Sequence, residues 1–153
     1  MTYTIRRATV EDISIIVHHR KMMFTDMGLD DHALIDRMEA PFRVWLAERL
    51  ANRTYHGWFA VGVDGQVIGG AGLWIYNWIP SPLAPQTARG YILNVYTEPG
   101  HRQQGIARRL VEEILEYCRE QGLKNVLLHA SAQGRPIYES LGFEQTNELR
   151  IRL

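Results

Sequence analysis

Cysteine is almost absent: Cys118 is the one thiol in 153 residues. A lone thiol cannot close an internal disulfide, and a chain without disulfides fits a reducing compartment, so the cytoplasm is the expected location. An excess of one charge is missing too, since 17 Lys and Arg balance 17 Asp and Glu. A neutral chain sets up no field that would draw nucleic acid or an anionic membrane, and neither is expected as a partner. No apolar run reaches the roughly 18 residues of a membrane span. The opening MTYTIRRATVEDIS lacks the apolar stretch of a secretory signal. Neither H-E-x-x-H nor C-x-x-C occurs, and the adjacent His18 and His19 diverge around a helix, so no metal site is expected. The phosphate-loop pattern G-x-x-x-x-G-K-[ST] and the dinucleotide pattern G-x-G-x-x-G are also lacking, which disfavours a nucleotide-binding module.

The residues that are present describe an ordinary globular chain. An apolar fraction of 46% and a charged fraction of 22% suit one domain over residues 1–153. Tyr3, Ile5 and Ala8 suggest a first strand. Thr9 and Asp12 form a capping-box pattern that opens a helix, with Gly28 as its stop. A second helical stretch carries Leu34, Ile35, Met38, Phe42, Trp45, Leu46 and Leu50, and Pro41 is expected to kink or split it. Tyr55 to Val63 and Gln66 to Trp78 read as strands joined by the hairpin turn Asp64-Gly65. Ile79 to Arg89, with three prolines, is a loop.

The rest is organised around YILNVYTEPGHRQQGIARRL, Tyr91 to Leu110. A β-branched strand turns at Glu98-Pro99-Gly100 and becomes a helix that continues to about Gln121. Gly105 at the helix entry permits close backbone approach, and the unpaired N–H groups of a helix N-terminus form a seat for phosphate. Lys124 to Ala130 reads as a buried strand, making a parallel βαβ unit with the strand and helix before it. A short helix spans about Gly134 to Ser140, and Phe143 to Leu153 is expected to supply one or two closing strands.

Pro99, Arg102, Gly105 and Ala107 fill, in order, the places of Pro-x-x-Arg/Gln-x-x-Gly-x-Gly/Ala. This resembles motif A of the GCN5-related N-acetyltransferases (GNAT superfamily). Downstream, Tyr138-Glu139-Ser140-Leu141-Gly142-Phe143 matches that family's tyrosine helix, and two helices before the first hairpin are also usual there. The resemblance implies an α+β fold with a mixed, largely antiparallel central sheet containing a parallel βαβ unit. It implies acetyl-CoA as cofactor and transfer of acetyl to a primary amine.

By the same resemblance, backbone N–H groups of Gln103, Gln104, Gly105, Ile106, Ala107 and Arg108 would hold the pyrophosphate. Val95, Tyr96 and Thr97 would lie along the thioester arm, with the Val95 N–H facing its carbonyl oxygen. Ser131 would have to replace an Asn that many relatives carry beside the pantetheine. Tyr138 is the candidate acid for the departing thiolate. For the base, Glu98, His129, Tyr91 and a water relay all stay open. The acceptor site is expected between the first two helices and the third and fourth strands. Arg20, Phe24 and Met27 would line one side, and Trp74, Tyr76 and Trp78 the other.

The leading expectation is therefore an acetyltransferase for a small-molecule amine. The alternatives are a protein or peptide acetyltransferase and a non-catalytic acyl-CoA sensor. Leu149, Ile151 and Leu153 alternate near the C-terminus and would leave an exposed strand edge through which a homodimer could form.

Overall fold

Tyr55 and Phe59 bury against one face of their strand while Trp58 and Ala60 bury against the other. A strand apolar on both sides belongs inside a sheet covered by helices on both faces. That is the architecture of the protein, whose computed structural model describes residues 2–153. The strands are β1 (Tyr3–Arg7), β2 (Tyr55–Gly62), β3 (Val67–Asn77), β4 (Ala88–Thr97) and β5 (Val126–Leu128), in spatial order β1-β2-β3-β4-β5. The first three junctions are antiparallel and β4–β5 is parallel. The mixed, largely antiparallel sheet with one parallel unit is the expected α+β fold.

Helices α1 (Ile13–Asp26) and α2 (His32–Ala51) cover one face, where Ile16, Val17, Phe42 and Leu46 meet Tyr55 and Phe59. Helix α3 (Ile106–Glu120) covers the other, where Ile106, Leu110, Val111, Ile114 and Cys118 meet Trp58, Leu73 and Ile92. Helix α4 (Arg135–Ser140) follows β5. The Thr9–Asp12 capping box forms as expected, on a 3₁₀ turn that leads into α1. Arg6 adds two hydrogen bonds of 2.9 Å to the Asp12 carboxylate.

Three expectations are corrected. Pro41 does not split its helix, for α2 runs unbroken through it. Proline removes only the bond to the Arg37 carbonyl, and both residues are exposed, where water can take that bond. The strand expected over Lys124 to Ala130 shrinks to Val126–Leu128, because β4 pairs with it only at Gly90, Tyr91 and Ile92. The closing strands are not formed. Residues 144–153 make no backbone–backbone hydrogen bond to any described residue, and a strand exists only through its ladder.

Candidate active site

Asn94 is the odd residue of β4, a poor strand former among Tyr, Ile, Leu and Val. The ladder pairs Gly72 with Leu93 and Gly70 with Tyr96, so Asn94 and Val95 both stand opposite Ala71. Two residues against one is a β-bulge, which breaks the ladder locally and bends the strand. Asn94 takes φ 57° there, a left-handed conformation that Asn tolerates better than most residues. Its side chain is buried, with Oδ1 accepting from Arg20 Nη1 at 2.8 Å and Nδ2 donating to the Tyr55 hydroxyl at 3.1 Å. The reading of the sequence missed this residue. A single polar side chain inside a β-branched run was the available signal.

On its other side β4 loses its neighbour. Pairing with β5 ends at Ile92–Leu128, so Leu93 to Thr97 run on past the strand that flanked them. The two strands are parallel, so their C-terminal ends open on the same side of the sheet. Val95, Tyr96 and Thr97 form the β4 side of that opening, and Ser131 and α4 follow β5 in the chain.

The turn after β4 continues the site. Gln103 (φ 60°) and Gly105 (φ 77°) both adopt left-handed backbone. A Cβ on Gly105 would meet nothing within 4 Å, so its backbone conformation, rather than crowding, calls for glycine. The first bond of α3 is Arg109 N–H to the Gly105 carbonyl. The N–H groups of Gln103 to Arg108 are left without a backbone partner among the described residues, and no side chain caps the helix. Thr97 Oγ1, at the end of β4, is buried without a hydrogen-bond partner.

Two arginines of this stretch are engaged elsewhere. Arg102 donates from Nε to the Thr97 carbonyl at 2.9 Å and pairs with Asp26 at 2.5 Å, tying the turn to β4 and to α1. Arg108 donates to Glu112 and, at 2.7 Å, to Ser140 Oγ, joining α3 to α4.

Tyr138 packs on the core cluster that Val95 also touches, and its ring lies edge-on to Phe143. None of the hydrogen bonds among the described residues uses its hydroxyl. Burial pushes its pKa upward, keeping the phenol protonated at neutral pH. Ser131 Oγ accepts from Gly134 N–H at 3.0 Å, which leaves its own O–H free to donate.

The acceptor-side residues divide. Arg20 lies beneath the Phe24 and Phe42 rings, at 5.1 and 4.9 Å. Its Nε is buried and unpartnered, and burial lowers its pKa. Trp74 and Tyr76 stack at 4.7 Å, with Trp45 of α2 edge-on to Trp74. Met27, at the C-cap of α1, is exposed, and Trp78 lies past the end of β3 beside an open hollow with Ile79 and Pro80. Trp78 still meets the Tyr76 ring edge-on, with 6.1 Å between centroids. Of the groups left open as base, Glu98 sits 3.3 Å from His18 and within 3.5 Å of the Tyr96 hydroxyl. His129 is exposed, edge-on to the half-buried Tyr91.

This geometry coincides with a family match. The model of the acetyltransferase (GNAT) family fits residues 21–143. The chain belongs to that family. A GCN5-related N-acetyltransferase from Ralstonia eutropha JMP134 is similar in structure with TM-score 0.93 and 35% identity, over 99% of both chains. A predicted acetyltransferase from Clostridium acetobutylicum, solved with acetyl-CoA, is similar with TM-score 0.89 and 30% identity, over 99% of this chain and 96% of that one. Among sequence relatives, glucosamine 6-phosphate N-acetyltransferase of Trypanosoma brucei brucei is 33% identical over 89 residues, 58% of each chain. The chain spans between 26% and 58% of the length of the first such relatives. GNAT proteins use acetyl-CoA as donor. No helix among the described residues is long and apolar enough to cross a membrane.

Proposed function

We propose that this GNAT domain transfers acetyl from acetyl-CoA directly to the primary amine of a small molecule, in the cytoplasm. The observation that carries the proposal is the bulged, unflanked end of β4 next to a helix entry whose N–H groups lack partners. A diphosphate fits a helix N-terminus, where partial positive charge and free donors coincide. Gln103, Gln104, Gly105, Ile106, Ala107 and Arg108 would hold it there. The buried Thr97 hydroxyl without a partner and the gap between β4 and β5 suit a polar, extended arm, with Ser131 donating from the far side. When bound, acetyl-CoA supplies an activated acyl group as a thioester.

The protein's own groups then have three tasks. The Val95 N–H, on the bulge, would donate to an acyl carbonyl oxygen as it gains charge, and a fixed donor there would lower the barrier without having to reorganise. The Tyr138 hydroxyl, held protonated by burial, would supply the proton that a departing thiolate needs. The acceptor amine would approach from the side of Arg20, Phe24, Trp74 and Tyr76, and Glu98, His129, Tyr91 or a water relay would take its proton. Trp45 packing over Trp74 supports a small acceptor over an open peptide groove.

The test is acetyl-CoA-dependent release of free thiol across polyamines, aminoglycosides, amino acids, arylalkylamines and short peptides. Turnover on one class of small amine is expected. Turnover on peptides alone would favour a protein acetyltransferase. Tight acetyl-CoA binding with no turnover on any amine would favour a sensor.

A further inference from the structure

Arg20 is a positive charge drawn into the protein without a counter-ion. It stands half-buried on α1, its guanidinium against the Phe24 and Phe42 rings. The acids around α1 are engaged elsewhere. Asp36 and Glu39 meet Lys21, Glu98 meets His18 and Asp26 meets Arg102, and none is within ion-pair distance of Arg20. Aromatic faces offset part of the cost of taking a charge out of water. A buried charge is ordinarily matched by an opposite one.

The hydrogen-bonding capacity of the guanidinium is only half used. Nη1 donates to Asn94 Oδ1 at 2.8 Å, which holds the fork in place. Nε is buried without a partner, and Nη2 donates to no described residue while reaching the surface. Nε and Nη2 form the edge along which a carboxylate lies side-on with two parallel bonds.

An apolar surface adjoins that edge. Trp74 is paired across the sheet with Tyr55 on one side and Tyr91 on the other, so all three face the same way. Tyr55 and Tyr91 are also the phenols near enough to Arg20 to act on its ionisation. The half-buried Trp74 and Tyr76 rings, stacked at 4.7 Å, therefore flank the charge.

Two features narrow the anion. A phosphate is usually gripped by several cationic donors, but Arg49 is held over the Trp45 ring at 4.4 Å and bonded to the Trp45 carbonyl. Arg20 also bonds the residue next to Val95, whose N–H is proposed to meet the acyl oxygen. An anion on Arg20 and an amine attacking that acyl group would thus be close together in one molecule, as they are in an amino acid.

We propose that the acceptor is an amino carboxylate, its carboxylate paired with the Arg20 guanidinium and its apolar part resting on Trp74 and Tyr76. The proposal rests on the transferase reading and narrows its substrate class.

The test compares kcat/KM for L-phenylalanine and L-leucine with their amides, with phenethylamine and isopentylamine, and with the aminophosphonate analogue of leucine. The carboxylates are expected ahead of the uncharged amines by about tenfold or more, the size of one charge-assisted hydrogen bond. In R20M that preference should fall towards one, through KM rather than kcat, with acetyl-CoA affinity retained. R20K keeps the charge without the fork and should retain part of the preference; should R20M fold poorly, a preference undiminished in R20K counts against the proposal. Uncharged amines turned over as well as the carboxylates, a phosphonate ahead of them, or a preference that survives R20M would each overturn it. If no amine is turned over, the transferase reading fails, and calorimetric titration of the CoA-loaded protein with N-acetyl-L-phenylalanine and N-acetyl-L-leucine decides the carboxylate contact. Binding that R20M abolishes supports the contact; absent binding, or binding indifferent to R20M, overturns it.

Discussion

Arg20 on α1 donates a 2.8 Å hydrogen bond to Asn94 Oδ1, and Asn94 is the residue at which β4 bulges. Tyr55 of β2 accepts from the same amide. A Cβ on Gly72 of β3 would lie 2.0 Å from the Tyr55 hydroxyl, so the small residue there makes room for the network. One buried amide thereby joins the wall of the proposed acceptor site to the backbone proposed to polarise the acetyl group.

Asn94→Ala should therefore be costly twice. It removes two hydrogen bonds, leaving the half-buried Arg20 without its side-chain partner, and it puts a residue that disfavours left-handed backbone at φ 57°. A loss of about 3 kcal/mol is expected, together with a lowered kcat. Asn94→Gly restores the backbone freedom but not the hydrogen bonds, and should recover about 1 kcal/mol relative to alanine. Urea denaturation of the three proteins checks the order, and equal stability of the alanine and glycine variants would contradict it.

Gly105→Val tests the cofactor loop. Its Cβ would meet nothing within 4 Å, so the fold should survive with a cost of about 1–2 kcal/mol for the left-handed backbone. The new side chain stands where the diphosphate is proposed to rest. Calorimetric titration should find acetyl-CoA affinity weakened about tenfold or more, the equivalent of at least 1.4 kcal/mol. Unchanged affinity would move the diphosphate elsewhere.

His19 sets a pH dependence. It is 2% exposed, wedged between Phe59 and Tyr96, and burial, helped by His18, pushes its pKa down to about 4. The unfolded chain, with an ordinary value near 6.5, binds this proton first. Stability is therefore fully present above about pH 6.5 and falls as the pH drops towards 4, with about 2 kcal/mol lost by pH 5. Denaturation at pH 7.5 and pH 5 should register that loss in the parent and little of it in His19→Leu. The same loss in both would place the titrating group elsewhere.

Asp12 acts in a lower window. Hydrogen bonds from Arg6 hold its carboxyl below the usual range, so its contribution is present above the unfolded pKa near 3.9 and disappears as the pH falls through the folded value. Arg6 is 42% exposed, and water screens part of the attraction. Asp12→Asn, which also weakens the cap, should cost about 2 kcal/mol at pH 7, read as a shift in thermal midpoint of roughly 4–8 °C.

The parts of this fold that a local pattern dictates were legible. Asp64-Gly65 announced the hairpin, Thr9 and Asp12 the first helix, and the run from Pro99 to Ala107 the turn into α3. What escaped depended on contacts between distant segments. Asn94 takes its conformation from Arg20 and Tyr55, which lie 74 and 39 residues away. Arg102 fills a place in the motif, yet its side chain binds Asp26 and the Thr97 carbonyl, a choice made only once α1 packs beside β4. The alternation from Glu148 to Leu153 reads as a strand, but no ladder forms there, because a side-chain pattern does not supply a neighbouring strand. Pro41 failed as a helix breaker because the breaking rule ignores that the freed carbonyl can face water.

The most direct measurement is the kcat of Tyr138→Phe beside its dissociation constant for acetyl-CoA. Phenylalanine keeps the ring against Phe143 and removes only a hydroxyl that no described group hydrogen-bonds, so folding and cofactor affinity should be preserved. Loss of a general acid is worth about 10²–10⁴ in rate, and a fall of that order in kcat with unchanged affinity is the predicted result. An unchanged kcat would show that the hydroxyl takes no part in the transfer and contradict the mechanism.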